Sequence, residues 1–393
     1  MSIDLSRRIN RIKASATMAV TALAAQLRAE GKDVIGLGAG EPDFDTPSHI
    51  KEAAMQAIRD GHTKYTEVGG TAELKQAVID KYARDNDLQY VPDQIIVSAG
   101  AKQCIFNLCQ ILLDDGDEVI VPAPYWVSYH DIPRLCGARV TEMFAGPGQH
   151  FRITPDQLAA SISDRTRLVL LNSPCNPTGA VYTRDELAAL GEVLLEHEQV
   201  VVATDDIYEH ICWADEPFCS FATANPALRD RTVVINGVSK AYAMTGWRIG
   251  YAAGPVELVA AMKKVQGQST TNAASVSQAA AVAALQGEQQ CVAAMTAEFR
   301  ERHDYVLQQL ESIPDVHCEP AGGTFYLFPD MRRLIRRLEM EDDLELTRHL
   351  LDEAGVALVG GSAFGAPGFV RISYATALTK LETAMDRLKV ALG

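Results

Sequence analysis

The chain has 393 residues, a formal net charge of −15 and 47% hydrophobic residues. That length suffices for two domains and a large buried core, and the acidic balance argues against nucleic acid or an anionic membrane as a partner. No apolar run approaches the ~20 residues of a membrane span, and the N-terminus Met1-Ser-Ile-Asp-Leu-Ser-Arg7 has no apolar signal core. A cytoplasmic protein is therefore expected. The eight cysteines, at 104, 109, 136, 175, 212, 219, 291 and 318, form no Cys-x-x-Cys pair, and several sit in apolar segments. They read as reduced thiols, with neither a disulfide frame nor a metal site.

Along the chain, short apolar runs read as buried strands: Ile95–Val97, Glu118–Val121, Leu168–Leu171, Val200–Ala203, Thr232–Ile235 and Gly250–Ala253. Helical patterns such as Lys102–Leu112 and Arg184–Glu196 lie between several of them. Fully apolar strands separated by helices predict an α/β fold with a mostly parallel sheet covered on both faces. In such sheets ligands bind beyond the carboxyl ends of the strands. Further on the character changes. Long amphipathic helices (Gln289–Ile313, Leu344–Ala354) surround short strands at Phe325–Phe328 and Phe369–Ile372, which predicts a second, smaller α+β domain. The basic run Arg332-Arg333-Leu-Ile-Arg336-Arg337 is followed at once by Glu339, Glu341, Asp342 and Asp343, so it reads as a solvated, salt-bridged helix.

The run Thr232–Asn236 leads into Ser239-Lys240, with Gly246 and Arg248 close behind. A lysine at a strand end suits a Schiff base with an aldehyde cofactor, and an arginine eight residues on suits that cofactor's phosphate. Three more segments agree: Asn172-Ser-Pro-Cys-Asn176-Pro177-Thr178-Gly179, Thr204-Asp205-Asp206-Ile-Tyr208-Glu209, and Gly368-Phe-Val-Arg371-Ile-Ser-Tyr374. Their order resembles the class I/II aminotransferases, which use pyridoxal 5′-phosphate. The finer spelling is similar to the bacterial Ib-type aspartate aminotransferases: Gly40-Glu-Pro-Asp-Phe44, Pro124-Tyr-Trp-Val-Ser-Tyr129 and Gln266-Gly-Gln-Ser-Thr-Thr-Asn272. The likeness runs from about Arg7 to Leu388. It implies the fold type I architecture, with an N-terminal arm and part of the small domain in 1–45, a large cofactor-binding domain in 46–287, and a small C-terminal domain in 288–393. It also implies a homodimer with active sites shared at the interface.

The resemblance assigns roles residue by residue. Lys240 is the Schiff-base lysine and carries the proton during transamination. Asp205 keeps the pyridine nitrogen protonated, and Asp206 stands where the family usually has Glu, with helix capping as its plainer role. Tyr208 and Asn176 donate to the phenolate oxygen, and Trp126 stacks on the ring. The phosphate falls at a helix N-terminus, with the amides of Gly100, Ala101 and Lys102 as candidates and Arg248 as the charged fork. Tyr65 reaches the partner subunit's phosphate. Gly237 replaces a common Ser, which leaves Ser239 as a possible donor.

Arg371, inside the apolar strand Phe-Val-Arg-Ile-Ser, fits the substrate α-carboxylate, assisted by Gly40 and Asn176. An internal salt bridge is its plainer explanation. For the distal carboxylate, the segment Lys263–Ala273 has no arginine, and the Ib pattern points to Lys102 with Ser15 and Thr17 of the arm. Ala14 and Ala273 stand where prolines are common. A cation in the first turn of a helix opposes the dipole, so Lys102 wants an anionic partner. The expected reaction moves the amino group of aspartate to 2-oxoglutarate by a ping-pong route. Prephenate or another amino acid as substrate, and a lyase using the same cofactor, are the alternatives. A cofactor-binding regulatory module would need a fused DNA-binding segment, for which the family likeness leaves no room.

Overall fold

The computed structural model describes residues 3–393. Chain order gives β1 (Ile35–Gly36), β2 (Ile95–Ser98), β3 (Glu118–Ala123), β4 (Arg139–Phe144), β5 (Thr166–Asn172), β6 (Val201–Asp205), β7 (Thr232–Gly237) and β8 (Gly250–Ala253). There follow β9 (Tyr326–Leu327), β10 (Val356–Ala357), β11 (Val359–Gly360) and β12 (Val370–Ser373).

The large sheet has the order β2-β8-β7-β6-β5-β3-β4. Only β8 runs antiparallel to its neighbours; the other pairs are parallel. Burial explains this. Residues of β2, β7 and β8 are buried at every position, as a sheet covered on both faces requires. The strand β4 escaped the apolar-run reading because Arg-Val-Thr-Glu-Met-Phe is half polar. It forms the edge of the sheet, where one face stays wet.

The expected boundaries shift by a few residues. The helix after β2 begins at Ala101 rather than Lys102, and β5 and β6 extend through Asn172 and Asp205. These extensions matter, because they place Asn172 and Asp205 in register as paired neighbours at the carboxyl edge.

The second layer joins both ends of the chain. β1 pairs in parallel with β10, and Ser373 donates its amide to the Leu37 carbonyl at 2.8 Å. β11, β12 and β9 form an antiparallel sheet, against which the helices Gln290–Glu311, Asp343–Ala354 and Leu378–Leu392 bury their apolar faces. Tyr208 and Ile207 from the end of the large sheet belong to the same apolar cluster as Phe325 and Tyr326, so the two layers meet at the edge where β5, β6 and β7 end. Among the described residues no helix is long and apolar enough to cross a membrane.

Candidate active site

A cleft of about 530 Å³ lies at that edge. It gathers all but two of the residues that the sequence singled out: Ser15, Thr17, Gly40, Ala101, Lys102, Trp126, Asn176, Asp205, Tyr208, Ser239, Lys240, Arg248 and Arg371. Gly100 sits just behind the wall. Tyr65 does not enter it.

Lys240 follows β7, and its Nζ donates to the Gly40 carbonyl at 2.6 Å. Burial is the main cause that lowers its pKa, to about 8; Arg371 and Arg248 add to this, while Glu41 and Asp205 oppose it. The amine therefore reaches its neutral, nucleophilic form at a lower pH than an ordinary lysine.

Asp205 closes β6. Its Oδ2 accepts from the Tyr129 hydroxyl at 2.7 Å and its Oδ1 from the Ile207 amide at 3.2 Å. Burial raises its pKa to about 6 despite those bonds and the charge of Lys240. Asn172 on β5 braces the loop: its Nδ2 donates to the Asp205 carbonyl and its Oδ1 accepts from the Asn176 amide, both at 2.8 Å. Asp206 points the other way. Thr204 Oγ1 donates to its Oδ1 at 2.6 Å, and its Oδ2 is buried without a partner. Of the two aspartates, Asp205 is the one that binds an amide of the following turn, so the capping role expected for Asp206 is not seen.

The turn after Asp205 is anchored from beneath. Glu209 pairs with the buried Lys81 and accepts from Asn236 Nδ2 at 2.6 Å and Asn86 Nδ2 at 2.9 Å. This fixes Tyr208, whose hydroxyl meets that of Tyr326 at 3.1 Å.

The helix Ala101–Leu112 aims its N-terminus at the cleft. The Gly100 amide turns back to the Ser98 carbonyl at 2.8 Å, whereas those of Ala101 and Lys102 have no hydrogen-bond partner among the described residues. Gly100 has φ +93°, and a Cβ there would stand 2.2 Å from a terminal nitrogen of Arg248. Only glycine lets the guanidinium lie against the turn. Arg248 itself donates to the Thr245 carbonyl at 2.8 Å and to the Ala99 carbonyl at 3.4 Å, and is exposed in the cleft. Ser239 is buried in the cleft floor.

Arg371 in β12 is 1% exposed. It donates to Asn176 Oδ1 at 2.8 Å and to the Gly38 carbonyl at 2.7 Å, while its Nε is buried without a partner. Its guanidinium lies 4.5 Å from the Tyr326 ring centre and 4.8 Å from that of Phe364. No carboxylate pairs with it among the described residues, which removes the internal salt bridge as its explanation. Lys102 Nζ lies 4.7 Å from the Trp126 ring centre, and burial, then Arg248, lowers its pKa. It too has no acidic partner among the described residues. Ser15 caps the helix Ala16–Ala29, accepting from the Met18 amide at 3.4 Å, and the buried Oγ1 of Thr17 has no partner.

Tyr65 is 90% exposed and lies with Thr271 and Asn272 around a separate surface hollow. Sequence reasoning missed Tyr129, Asn172 and Tyr326. Tyr129 stood in a motif already singled out, and Asn172 began another. Tyr326 carries no local signal, since an apolar strand is the commoner reason for an aromatic there.

A model of the family "Aminotransferase class I and II" matches residues 32–388. The chain is 51% identical over 98% of its length to an aspartate/prephenate aminotransferase of Nitrosomonas europaea, covering 99% of it. It is 48% identical to an aspartate aminotransferase of Geobacillus stearothermophilus, covering 98% of both chains. Two solved structures superpose closely. The aspartate aminotransferase of Rhizobium meliloti has TM-score 0.94 at 45% identity, over 100% of this chain and 99% of that one. That of Thermus thermophilus with maleate has TM-score 0.93 at 41% identity, over 99% of this chain and 100% of that one.

Proposed function

Because the chain belongs to the class I and II aminotransferases, we propose that it moves the amino group of L-aspartate to 2-oxoglutarate, giving oxaloacetate and L-glutamate in two half-reactions. One observation carries this reading. Lys240, Asp205 and Arg371 converge on one cleft, and the carboxylate of Asp205 and the guanidinium of Arg371 each lack an ionic partner there. A buried charge without a counterion is costly, so the cleft is built to receive charged groups.

The family's cofactor is pyridoxal 5′-phosphate, and the residues present fit it. The unpaired amides of Ala101 and Lys102 beside Arg248 suit a phosphate dianion at a helix N-terminus. The buried Asp205 carboxylate suits a protonated ring nitrogen, Trp126 a ring face, and Tyr208 and Asn176 Nδ2 a phenolate oxygen. When bound, the cofactor supplies the electron-accepting ring that makes the substrate's Cα proton acidic.

The chain's own residues supply the rest. Arg371 would hold the α-carboxylate and so fix the orientation of the substrate's Cα in the cleft. Lys240 would hold the cofactor's aldehyde carbon and, as a free amine, would take the proton from the substrate's Cα. Asp205, as a carboxylate, would hold the ring nitrogen in its protonated form. Lys102, with Thr17 and Ser15, receives the distal carboxylate; a lysine without an acidic partner supports this. The aspartate/prephenate name of the 51%-identical relative favours a second acceptor, prephenate, whose ring carboxylate would use the same lysine. We assign the arm and part of the small domain to 1–45, the large domain to 46–287 and the small domain to 288–393. The active form is a cytoplasmic homodimer in which Tyr65 and the Thr271-Asn272 loop complete the neighbour's site.

Mixing the cofactor-loaded enzyme with single amino acids, then identifying the 2-oxo acid released, tests the reading. Oxaloacetate from aspartate and 2-oxoglutarate from glutamate are the expected products. Alanine with carbon dioxide from aspartate would mean lyase chemistry instead. Prephenate offered as acceptor separates the two acceptor readings.

A further inference from the structure

Gln266 opens the segment Gln266–Asn272, and nothing in the cleft explains it. Its side chain is fully buried at the end of the helix Val256–Gly267. Oε1 accepts from Ser98 Oγ at 2.6 Å and from Asn107 Nδ2 at 3.0 Å. Nε2 donates to the Val68 carbonyl at 2.7 Å and the Val97 carbonyl at 2.8 Å. Both lone-pair positions and both hydrogens of the amide are used. Filling that space needs only an apolar side chain. A four-bonded amide does something else: it fixes orientation, since all four bonds hold only for one placement of the segments that carry them.

Those segments are the ones that shape the phosphate turn. Ser98 and Val97 end β2, immediately before Ala99-Gly100. Asn107 lies on the helix that this turn opens. Val68 belongs to the loop next to Gly69, whose carbonyl accepts from the Val97 amide at 2.8 Å. The amide therefore ties the strand before the turn to the helix after it. The turn between them presents the Ala101 and Lys102 amides, with Arg248 packed against Gly100.

We propose that Gln266 is a positioning residue for the cofactor's phosphate: it sets the angle between β2 and the helix Ala101–Leu112, and so the aim of the two free amides. This rests on the cofactor reading above. It makes the grip on phosphate, rather than on the pyridine ring, sensitive to a residue that touches neither.

Comparing two cofactors tests this. Full-length protein is loaded with pyridoxal 5′-phosphate or with pyridoxal, which lacks the phosphate, and diluted serially while cofactor absorbance reports the bound fraction. Wild type is expected to hold the phosphorylated form more tightly. Gln266→Glu keeps the acceptor side and loses one or both donors; its dissociation constant for pyridoxal 5′-phosphate should rise about 10-fold, with pyridoxal changed less than about 2-fold. Ser98→Ala removes a single contact of the amide, and about a 3-fold rise confined to the phosphorylated form is expected. If Gln266→Glu does not fold, by near-ultraviolet circular dichroism, Ser98→Ala decides alone. Folded variants that weaken both cofactors equally, or neither, overturn the proposal while the phosphate preference of the wild type stands. A wild type without that preference overturns the phosphate site itself, and the role of Gln266 with it.

Discussion

Tyr129 donates its hydroxyl hydrogen to Asp205 Oδ2 at 2.7 Å, deep in the floor of the cleft. The bond stabilises the ionised carboxylate against the burial that raises its pKa to about 6. Protonated Asp205 cannot pair with a cationic ring nitrogen, so cofactor affinity should fall as pH drops through about 6. Tyr129→Phe removes a hydrogen bond to a charged group, worth about 1.5–3 kcal/mol. Its expected effect is a higher midpoint for this acid loss. Binding titrations between pH 5 and 8 read that shift directly, and an unmoved midpoint refutes the link.

Asp206 gives a stability prediction. Burial raises its carboxyl to about 7, opposed by the Thr204 hydroxyl and the charge of Lys81 and reinforced by Glu209. A carboxyl raised in the folded state binds more protons folded than unfolded, so its contribution is lost as pH rises from about 4 to about 7. Asp206→Asn should therefore stabilise the protein at pH 8 by roughly 1–3 kcal/mol and make little difference at pH 4. Urea unfolding at the two pH values checks the sign.

Lys240 should react as an amine of unusually low pKa. In cofactor-free protein its acylation rate should reach half its limit near pH 8, where ordinary lysines are still mostly protonated. In loaded protein, borohydride reduction and peptide mapping should find the pyridoxyl group on Lys240. Lys240→Ala should fold, lose this label, and turn over at least ~1,000-fold more slowly. Label on another lysine would refute the assignment.

Lys102 and Arg371 divide the substrate between them. Lys102→Ala should lower kcat/KM for aspartate and glutamate by about 10- to 150-fold, with little change for alanine or phenylalanine, which have no distal charge. Arg371→Ala should damage all four, because all share the α-carboxylate. An equal loss across acidic and neutral substrates in Lys102→Ala would assign the lysine to the phosphate or the fold.

The exposed Tyr65 tests the shared site. Inactive Lys240→Ala chains mixed with inactive Tyr65→Ala chains should regain part of the activity, since some hybrid sites would draw both residues from intact chains. A fully active monomer by sedimentation would contradict the dimer.

Much of this site was legible in the sequence because the chemistry is concentrated at strand ends. Asn176, Asp205 and Lys240 each follow an apolar run closely, and a parallel sheet brings such positions to one edge whatever the intervening helices do. Arg371 was legible for a different reason: a guanidinium among apolar neighbours demands an explanation. The missed residues share a different property. Tyr129 and Tyr326 act through hydroxyl groups on rings that packing alone would justify, and Asn172 acts through its backbone neighbours. Their roles depend on which atoms face them across 76, 118 and 33 residues of chain. The edge strand β4 was missed because half of it meets water, which erases the continuous apolar signal.

The carbonyls of Gly38 and Gly40 accept from Arg371 and Lys240, the two cations most central to the cleft. An arriving carboxylate or aldehyde therefore competes with a peptide oxygen for part of each cation's donor set, while Arg371 Nε is still unpartnered. The number of hydrogen bonds changes little in such an exchange, so discrimination has to come from what a peptide oxygen lacks: a full negative charge, or a carbon that can be attacked. The same two glycines handicap every ligand alike. Loosening their hold would be expected to tighten neutral look-alikes along with true substrates.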